Sequence, residues 1–310
     1  MLSELIFSIM QVVIIPPRKP ECYQPLTGRG ELGDLLVANV PLHSWIELQL
    51  RQAGCQVLQE GEENLNTIYY PLDHWIEVGA LCMLGRAESG TKLVDGMGDV
   101  VAWKGKPKAE DCDKQMVTDA DCFRIEYAWD LLKLNEDVLD QIAHGEVLGE
   151  VSPLAEVGEN VRIGEGSKIL AGVVIEGNVV IGENCKIGPN AYIRGNTTIG
   201  DDCIIGNAVE IKNSVIYPKS MVLHLSYVGD SIIGSHVNLG AGTIISNFRH
   251  DGRQHRSLFQ GELVDTHRSK LGAIIGDGVR TGVNTTIYPG RKIGSGRTTM
   301  PGQVVTTDLM

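Results

Sequence analysis

From residue 157 onward a β-branched side chain returns at every sixth position: Val157, Ile163, Ile169, Ile175, Ile181, Ile187, Ile193, Ile199, Ile205 and Ile211. Four residues after most of these anchors stands a small side chain, among them Ser167, Val173, Cys185, Ala191 and Cys203. A glycine often follows the anchor directly, as at 158, 164, 182, 188, 200 and 206. Neither the 3.6-residue period of a helix nor the two-residue period of a strand produces a six-residue repeat. A coil with three short sides does, because each side points its anchor into one shared interior. The expected fold is therefore mainly β, a parallel β-helix of hexapeptide repeats, in which Cys185 and Cys203 are core residues rather than redox groups.

The phase shortens by one residue between Ile211 and Ile216, runs on through Val222 and Val228, and shortens again to Ile233, Leu239 and Ile245. It resumes at Ile275, Ile287, Ile293 and Val305, with Thr281 and Thr299 in weaker hexads. Between 246 and 270 it vanishes into a polar, basic segment that reads as an extended loop leaving one corner. Roughly seven coils are expected at this repeat length. Most β-crossovers are right-handed, yet known proteins with this hexad pattern coil left-handed, and the left-handed sense is expected from that likeness alone. The flat faces of such a prism usually pack three-fold, so a homotrimer is expected.

Residues 1–143 lack the period and read as a small α/β domain, joined through 144–156 to the β-helix at 157–310. VVII (12–15) predicts a buried strand, with a helix ahead of it. PLHSWIELQLRQAG (41–54) predicts an amphipathic helix closed by Gly54, and YAWDLLKLNEDVLDQIA (127–143) a second one.

The formal charge of −12 disfavours nucleic acid and anionic membranes as partners. The apolar first fifteen residues lack the basic n-region and small-residue cleavage site of a signal peptide. The seven cysteines show no CxxC spacing, so reduced thiols and a cytoplasmic location are expected. No pair of histidines has HExxH-like spacing, and no catalytic metal is expected.

Some residues are not required by the repeat. Arg194 and Lys212 take the position after an anchor where other hexads place glycine, and their spacing stacks them on one corner about one strand separation of ~4.8 Å apart. Stacked cations repel; a phosphate between them would cancel the repulsion, with Arg as a two-pronged donor and Lys as a point charge. His224 projects from another side of a nearby coil, with Tyr227, Asn238 and Asn247 within three hexads. A lone histidine is more often an ordinary surface residue, but a neutral imidazole among polar donors is suited to accept a proton from a nucleophile.

These residues at these spacings, with HLSYVGD (224–230) and NLGAGT (238–243), resemble the acyltransferase half of the bifunctional glucosamine-1-phosphate N-acetyltransferase / UDP-N-acetylglucosamine pyrophosphorylase family. The segment VDTHRSKLGAIIGDGVRTGVNTTIYPGRKIGS (264–295) looks like its archaeal and related bacterial sugar-phosphate branch. The resemblance implies that Arg194 and Lys212 hold a sugar phosphate, that His224 is the base, and that Tyr227, Asn238 and Asn247 line the amino-sugar site. Ala241 falls where coenzyme A passes between subunits, so Gly240, Ala241 and Gly242 are the expected acetyl-CoA contacts, with turn N–H groups as oxyanion donors. Two positions depart from the family pattern: Phe248 replaces a tyrosine, and Arg253 stands for a loop lysine as a substrate contact. Few residues follow Val305, so the family's C-terminal tail contact to coenzyme A is not expected.

LLVANVPLHSWIELQLRQAGCQVL (35–58) and PLT (25–27) resemble the start of a sugar-phosphate nucleotidyltransferase. Such enzymes need a glycine-rich loop after the first strand, so that backbone N–H groups reach the nucleotide phosphates. Here VVII runs into PPRKPECYQ, whose prolines remove donors, and no glycine comes before Gly28. The domain reads as shortened and degenerate, capping the β-helix or binding a partner, and VDGMGDVVAW (94–103) reads as a turn in preference to the remnant of a metal-binding aspartate. The expected function is acetyl transfer from acetyl-CoA to an amino-sugar phosphate. The alternatives are a sugar-1-phosphate nucleotidyltransferase and a non-catalytic sugar-nucleotide or partner-binding scaffold.

Overall fold

The computed structural model describes residues 10–17, 19–26, 31–59, 61–142 and 145–310. The helix expected ahead of the first strand, Thr27, Gly28 and His144 lie outside the described residues. The chain forms two compact units, the first of residues 1–20, 32–34 and 41–126, the second of 21–31, 35–40 and 127–310.

The first unit is built on a six-stranded sheet ordered Cys55–Val57, Met10–Ile15, Thr67–Pro71, Val100–Lys104, Thr91–Val94, Lys114–Val117. Met10–Ile15 runs parallel to both its neighbours. Helix α1 (Leu42–Gln52) buries Leu42, Ile46 and Leu50, and ends where Gly54, at φ +74°, donates its N–H to Arg51 O. Helix α2 (Val78–Arg86) was not expected, because two glycines weaken its propensity. It forms around the buried stripe Ala80, Leu81 and Leu84. Asp95 Oδ1 accepts the N–H groups of Met97 and Asp99, which makes VDGMGD the turn between two strands.

In the second unit the hexads wind into three parallel sheets. Face A begins at Glu150–Val151, face B at Glu156–Val157 and face C at Val161–Ile163, and they hold six, eight and seven strands. Anchors stack on anchors: Ile175 pairs with Ile193, which pairs with Ile211. Where the phase shortens, Ile199 meets Ile216 and Ile205 meets Val222, so a coil of one residue fewer still keeps its anchors inside. Each fully buried isoleucine contributes about 1.5–3 kcal/mol, and the stack from Val161 to Val305 forms one continuous core. Thr281 and Thr299, the weak anchors, satisfy their hydroxyls against Thr243 (2.8 Å) and Thr285 (2.7 Å). Burial pushes the thiols of Cys185 and Cys203 up to about 11 and about 12, as inert core groups require.

The contact boundary between the units falls at 126/127, ahead of the expected 143/144, and coil structure begins inside 144–156, where Glu150–Val151 pairs with Lys168–Ile169. Helix α3 (Asp130–Gln141) covers face C. Its buried Asn135 accepts from Ala38 N (3.1 Å) and Thr198 Oγ1 (2.7 Å). Segment 35–40 lies on the same face: Leu36 N donates to Tyr217 Oη (3.0 Å) and Asn39 Nδ2 to Ile199 O (2.8 Å).

The segment from 246 to 270 is an excursion, as expected, but one with its own structure, an antiparallel hairpin of Arg256–Phe259 and Glu262–Asp265. Buried Lys292 of face C donates to Leu258 O (2.7 Å) and stands 5.4 Å over the Trp129 ring. Phe259 meets Tyr127 edge-on at 5.5 Å. Among the described residues no helix is long and apolar enough to cross a membrane.

Candidate functional site

Face B presents two outward rows. One runs Glu176, Arg194, Lys212, Gly229, each a direct cross-strand partner of the next; the other runs Tyr192, Glu210, Tyr227, Ile244. Arg194 and Lys212 are thus stacked as their spacing predicts. The structure corrects how their repulsion is relieved. Glu210 accepts from Arg194 Nε (3.1 Å) and Nη2 (2.7 Å), and Asp230 lies 3.4 Å from Lys212 Nζ. The two carboxylates neutralise the stack, so no bound phosphate is needed to hold it together. Asp230 is 2% exposed. It also accepts from Asn213 Nδ2 and Asn247 Nδ2, and these bonds offset its desolvation.

Asn247, where the chain leaves the coil, reaches back over this row and donates to Tyr227 Oη (3.0 Å). Its crossing explains Gly229: a Cβ there would lie 2.5 Å from Tyr227 Oη and 2.6 Å from Asn247 Nδ2. Burial, with the charges of Asp230 and Glu210, pushes the Tyr227 phenol above its ordinary range against the opposing Asn247 bond, which keeps it a neutral donor. Arg194, Lys212, Tyr227, Asn247, Phe248 and Lys270 line a cavity of about 290 Å³. Arg253, expected here, is exposed and lines no part of it. Lys270 supplies the loop cation instead, because the hairpin returns it beside Phe248, its bridge partner.

His255, 2% exposed, fixes Asn247 from behind, with Nε2 3.1 Å from Asn247 O. A carbonyl only accepts, so Nε2 carries the hydrogen. Burial pushes this imidazole below its ordinary pKa, and the Asn247 carbonyl opposes the shift only in part. The unfolded chain, with an ordinary value of about 6.5, therefore binds the proton more readily than the native one. Stability is fully present above that value and falls as pH drops through it toward the lower native pKa. Urea midpoints measured between about pH 8 and 5 should show this loss in the native sequence and a reduced one in His255→Gln; identical slopes would remove His255 as the source.

The remaining expected residues lie elsewhere on the chain. His224 ends the face A strand Met221–His224, with Asn207 as its cross-strand partner. Asn238 pairs with Met221 on the same face. Gly240, Ala241 and Gly242 turn the corner from face A to face B. Two of the expected oxyanion donors are already used: Gly240 N donates to Thr281 Oγ1 and Gly242 N to His224 O, both at 2.9 Å. Among the described residues, Ala241 N–H is the one donor of this turn without an acceptor. One chain therefore carries two candidate half-sites, a cation-lined cavity on face B and an exposed imidazole whose own backbone carbonyl is bonded to the A/B corner turn. Sequence reasoning missed Glu210, Asp230, His255 and Lys270.

The fold and these half-sites define a hexapeptide-repeat β-helix protein. Residues 175–293 match the family model described as the GMPPB C-terminal domain. The chain is a homologue of named acetyltransferases. It is 41% identical over 181 residues to a bifunctional sugar-1-phosphate nucleotidylyltransferase/acetyltransferase of Sulfurisphaera tokodaii, covering 58% of this chain and 45% of that one. It is 50% identical over 171 residues to the bifunctional protein GlmU of Methanococcus maripaludis strain C7, covering 55% and 41%. The chain thus spans less than half the length of these relatives. A solved UDP-N-acetylglucosamine acyltransferase of Francisella novicida aligns over 54% of this chain and 61% of its own, at 18% identity and a TM-score of 0.31.

Proposed function

We propose that this protein is an acetyl-CoA-dependent N-acetyltransferase acting on an amino-sugar phosphate such as glucosamine 1-phosphate. The observation that carries the reading is the pairing of a cation-lined cavity with an exposed imidazole, in a chain homologous to bifunctional nucleotidylyltransferase/acetyltransferases. In this reading Arg194, Lys212 and Lys270 hold the phosphate, and Tyr227 and Asn247 orient the sugar, which is positioning rather than chemistry. His224 takes the proton from the amine as its nitrogen attacks the thioester carbonyl. Ala241 N–H steadies the oxygen that becomes negative. The C–S bond then breaks, and coenzyme A leaves as the thiol once its sulfur takes up the proton that His224 removed.

The two half-sites belong to different faces, so the reaction calls for a second copy whose A/B corner meets the first copy's face B. Exposed apolar side chains follow that geometry. Leu154, Leu225, Val283 and Met300 line the A/B corner, and Ile244 and Val304 stand on face B, as an interface between copies would use them. With face C covered by its own chain, a homotrimer with three shared sites is the matching assembly. The first unit is, in the same proposal, a shortened nucleotidyltransferase-like domain that lacks the phosphate loop. Free thiols agree with a cytoplasmic location. The test is release of coenzyme A thiol from acetyl-CoA with glucosamine 1-phosphate and a panel of other amino-sugar phosphates. Turnover with one of them is expected; none with any of them would reject the assignment.

A further inference from the structure

On the far side of Phe248 lies a second cavity of about 600 Å³, larger than the first and used by none of the chemistry above. It falls within the ordinary range for small-molecule sites. Its walls carry three arginines, 249, 256 and 291, against one carboxylate, Asp251, in a chain of net charge −12. Arg249 is held by Asp251 (2.8 and 2.6 Å), and Arg291 by Pro289 O and Arg256 O at 3.3 and 3.4 Å, with Asp308 at 3.8 Å. The Arg256 guanidinium has no acceptor among the described residues. Arg291, held in place, and Arg256, with its donors open, suit the paired oxygens of phosphate. Phe248 and Tyr288 are each about half exposed and border the same space, offering apolar walls to a flat ring.

The two cavities are adjacent. Phe248 lines both. Buried His255 lines the larger one and holds the Asn247 carbonyl, while the Asn247 side chain lines the smaller one. We propose that the larger cavity is a ligand site of its own, beside the acceptor cavity, and that it binds a nucleoside diphosphate. The diphosphate goes to Arg256 and Arg291, and the base lies against Phe248 or Tyr288. The identity of the smaller cavity as the acceptor site rests on the proposed acetyltransferase activity; the diphosphate chemistry of the larger one does not.

The test is calorimetric titration of the full chain with uridine diphosphate and adenosine diphosphate, comparing the native protein with Arg256→Ala and Tyr288→Ala, whose folding is checked by thermal unfolding. One site per chain is expected, weakened at least about tenfold by Arg256→Ala. No binding, or equal binding by native and both variants, overturns the proposal. Repeating the titration with saturating acetyl-CoA separates the sources. Unchanged diphosphate affinity supports a site of its own; complete displacement gives the cavity to the acyl donor's own diphosphate and overturns the proposal. Diphosphate binding without acetyl transfer to any amino sugar would uphold the site and sink the activity. Turnover on glucosamine 1-phosphate with no diphosphate binding would do the reverse.

Discussion

Replacing His224 with alanine is expected to lower acetyl transfer by ~10²–10⁴-fold, the usual contribution of a positioned base, with acceptor binding unchanged. The separation follows from the two half-sites. In the proposed reaction the acceptor is held on face B by Arg194, Lys212 and Tyr227, which line one cavity, while His224 ends a strand of face A. The His224 backbone is fixed, its carbonyl accepting Gly242 N–H and Ser226 Oγ at 2.9 Å, while its ring is exposed. The variant should therefore fold and assemble normally. Single-turnover rates beside calorimetric titration with glucosamine 1-phosphate decide the matter; equal rates in variant and native protein would remove His224 from the mechanism.

The largest stability loss is expected at Asp230. Its carboxylate is buried with Lys212 Nζ, whose side chain is only 12% exposed, and removing one partner of such a pair costs about 3–5 kcal/mol because the other charge stays buried. Asp230→Ala also takes one acceptor from Asn247 Nδ2, leaving it Tyr227 Oη, and one from Asn213 Nδ2, so the face B cavity should loosen along with the coil. Glu210→Ala is the contrast. The Arg194–Glu210 pair is about one-third exposed on both sides, where such pairs contribute roughly 0–1 kcal/mol. Urea unfolding of the two variants should separate clearly; equal losses would mean that burial does not govern these pairs.

The β-helix was legible because a six-residue period needs only the volume of every sixth side chain, and stacked coils turn sequence spacing into height. That is why Arg194 above Lys212 could be read directly. Glu210 and Asp230 could not be read so easily. Glu210 serves Arg194 diagonally, from the neighbouring row, and the shortened coil puts Gly229 rather than Asp230 directly beside Lys212, so Asp230 reaches the ammonium from the next position along. An unshortened step of 18 residues from Lys212 would have brought the carboxylate into view. Lys270 and His255 had no such signal, since a hairpin between two coils has its own geometry. The cover on face C was equally hidden: Asn135 is an ordinary polar position in a helical pattern, and its partners Ala38 and Thr198 lie far away in sequence.

That cover changes how the coils behave as a column. A stack in which each layer touches only its neighbours frays from its ends and has no preferred place of strength. Here Asn135, Leu36 and Asn39 grip the layers holding Thr198, Ile199 and Tyr217, and Arg194 belongs to the first of those layers. Local opening should therefore run inward and stop at the gripped layers. The cation row of the face B cavity then rests on the part of the column that comes apart last.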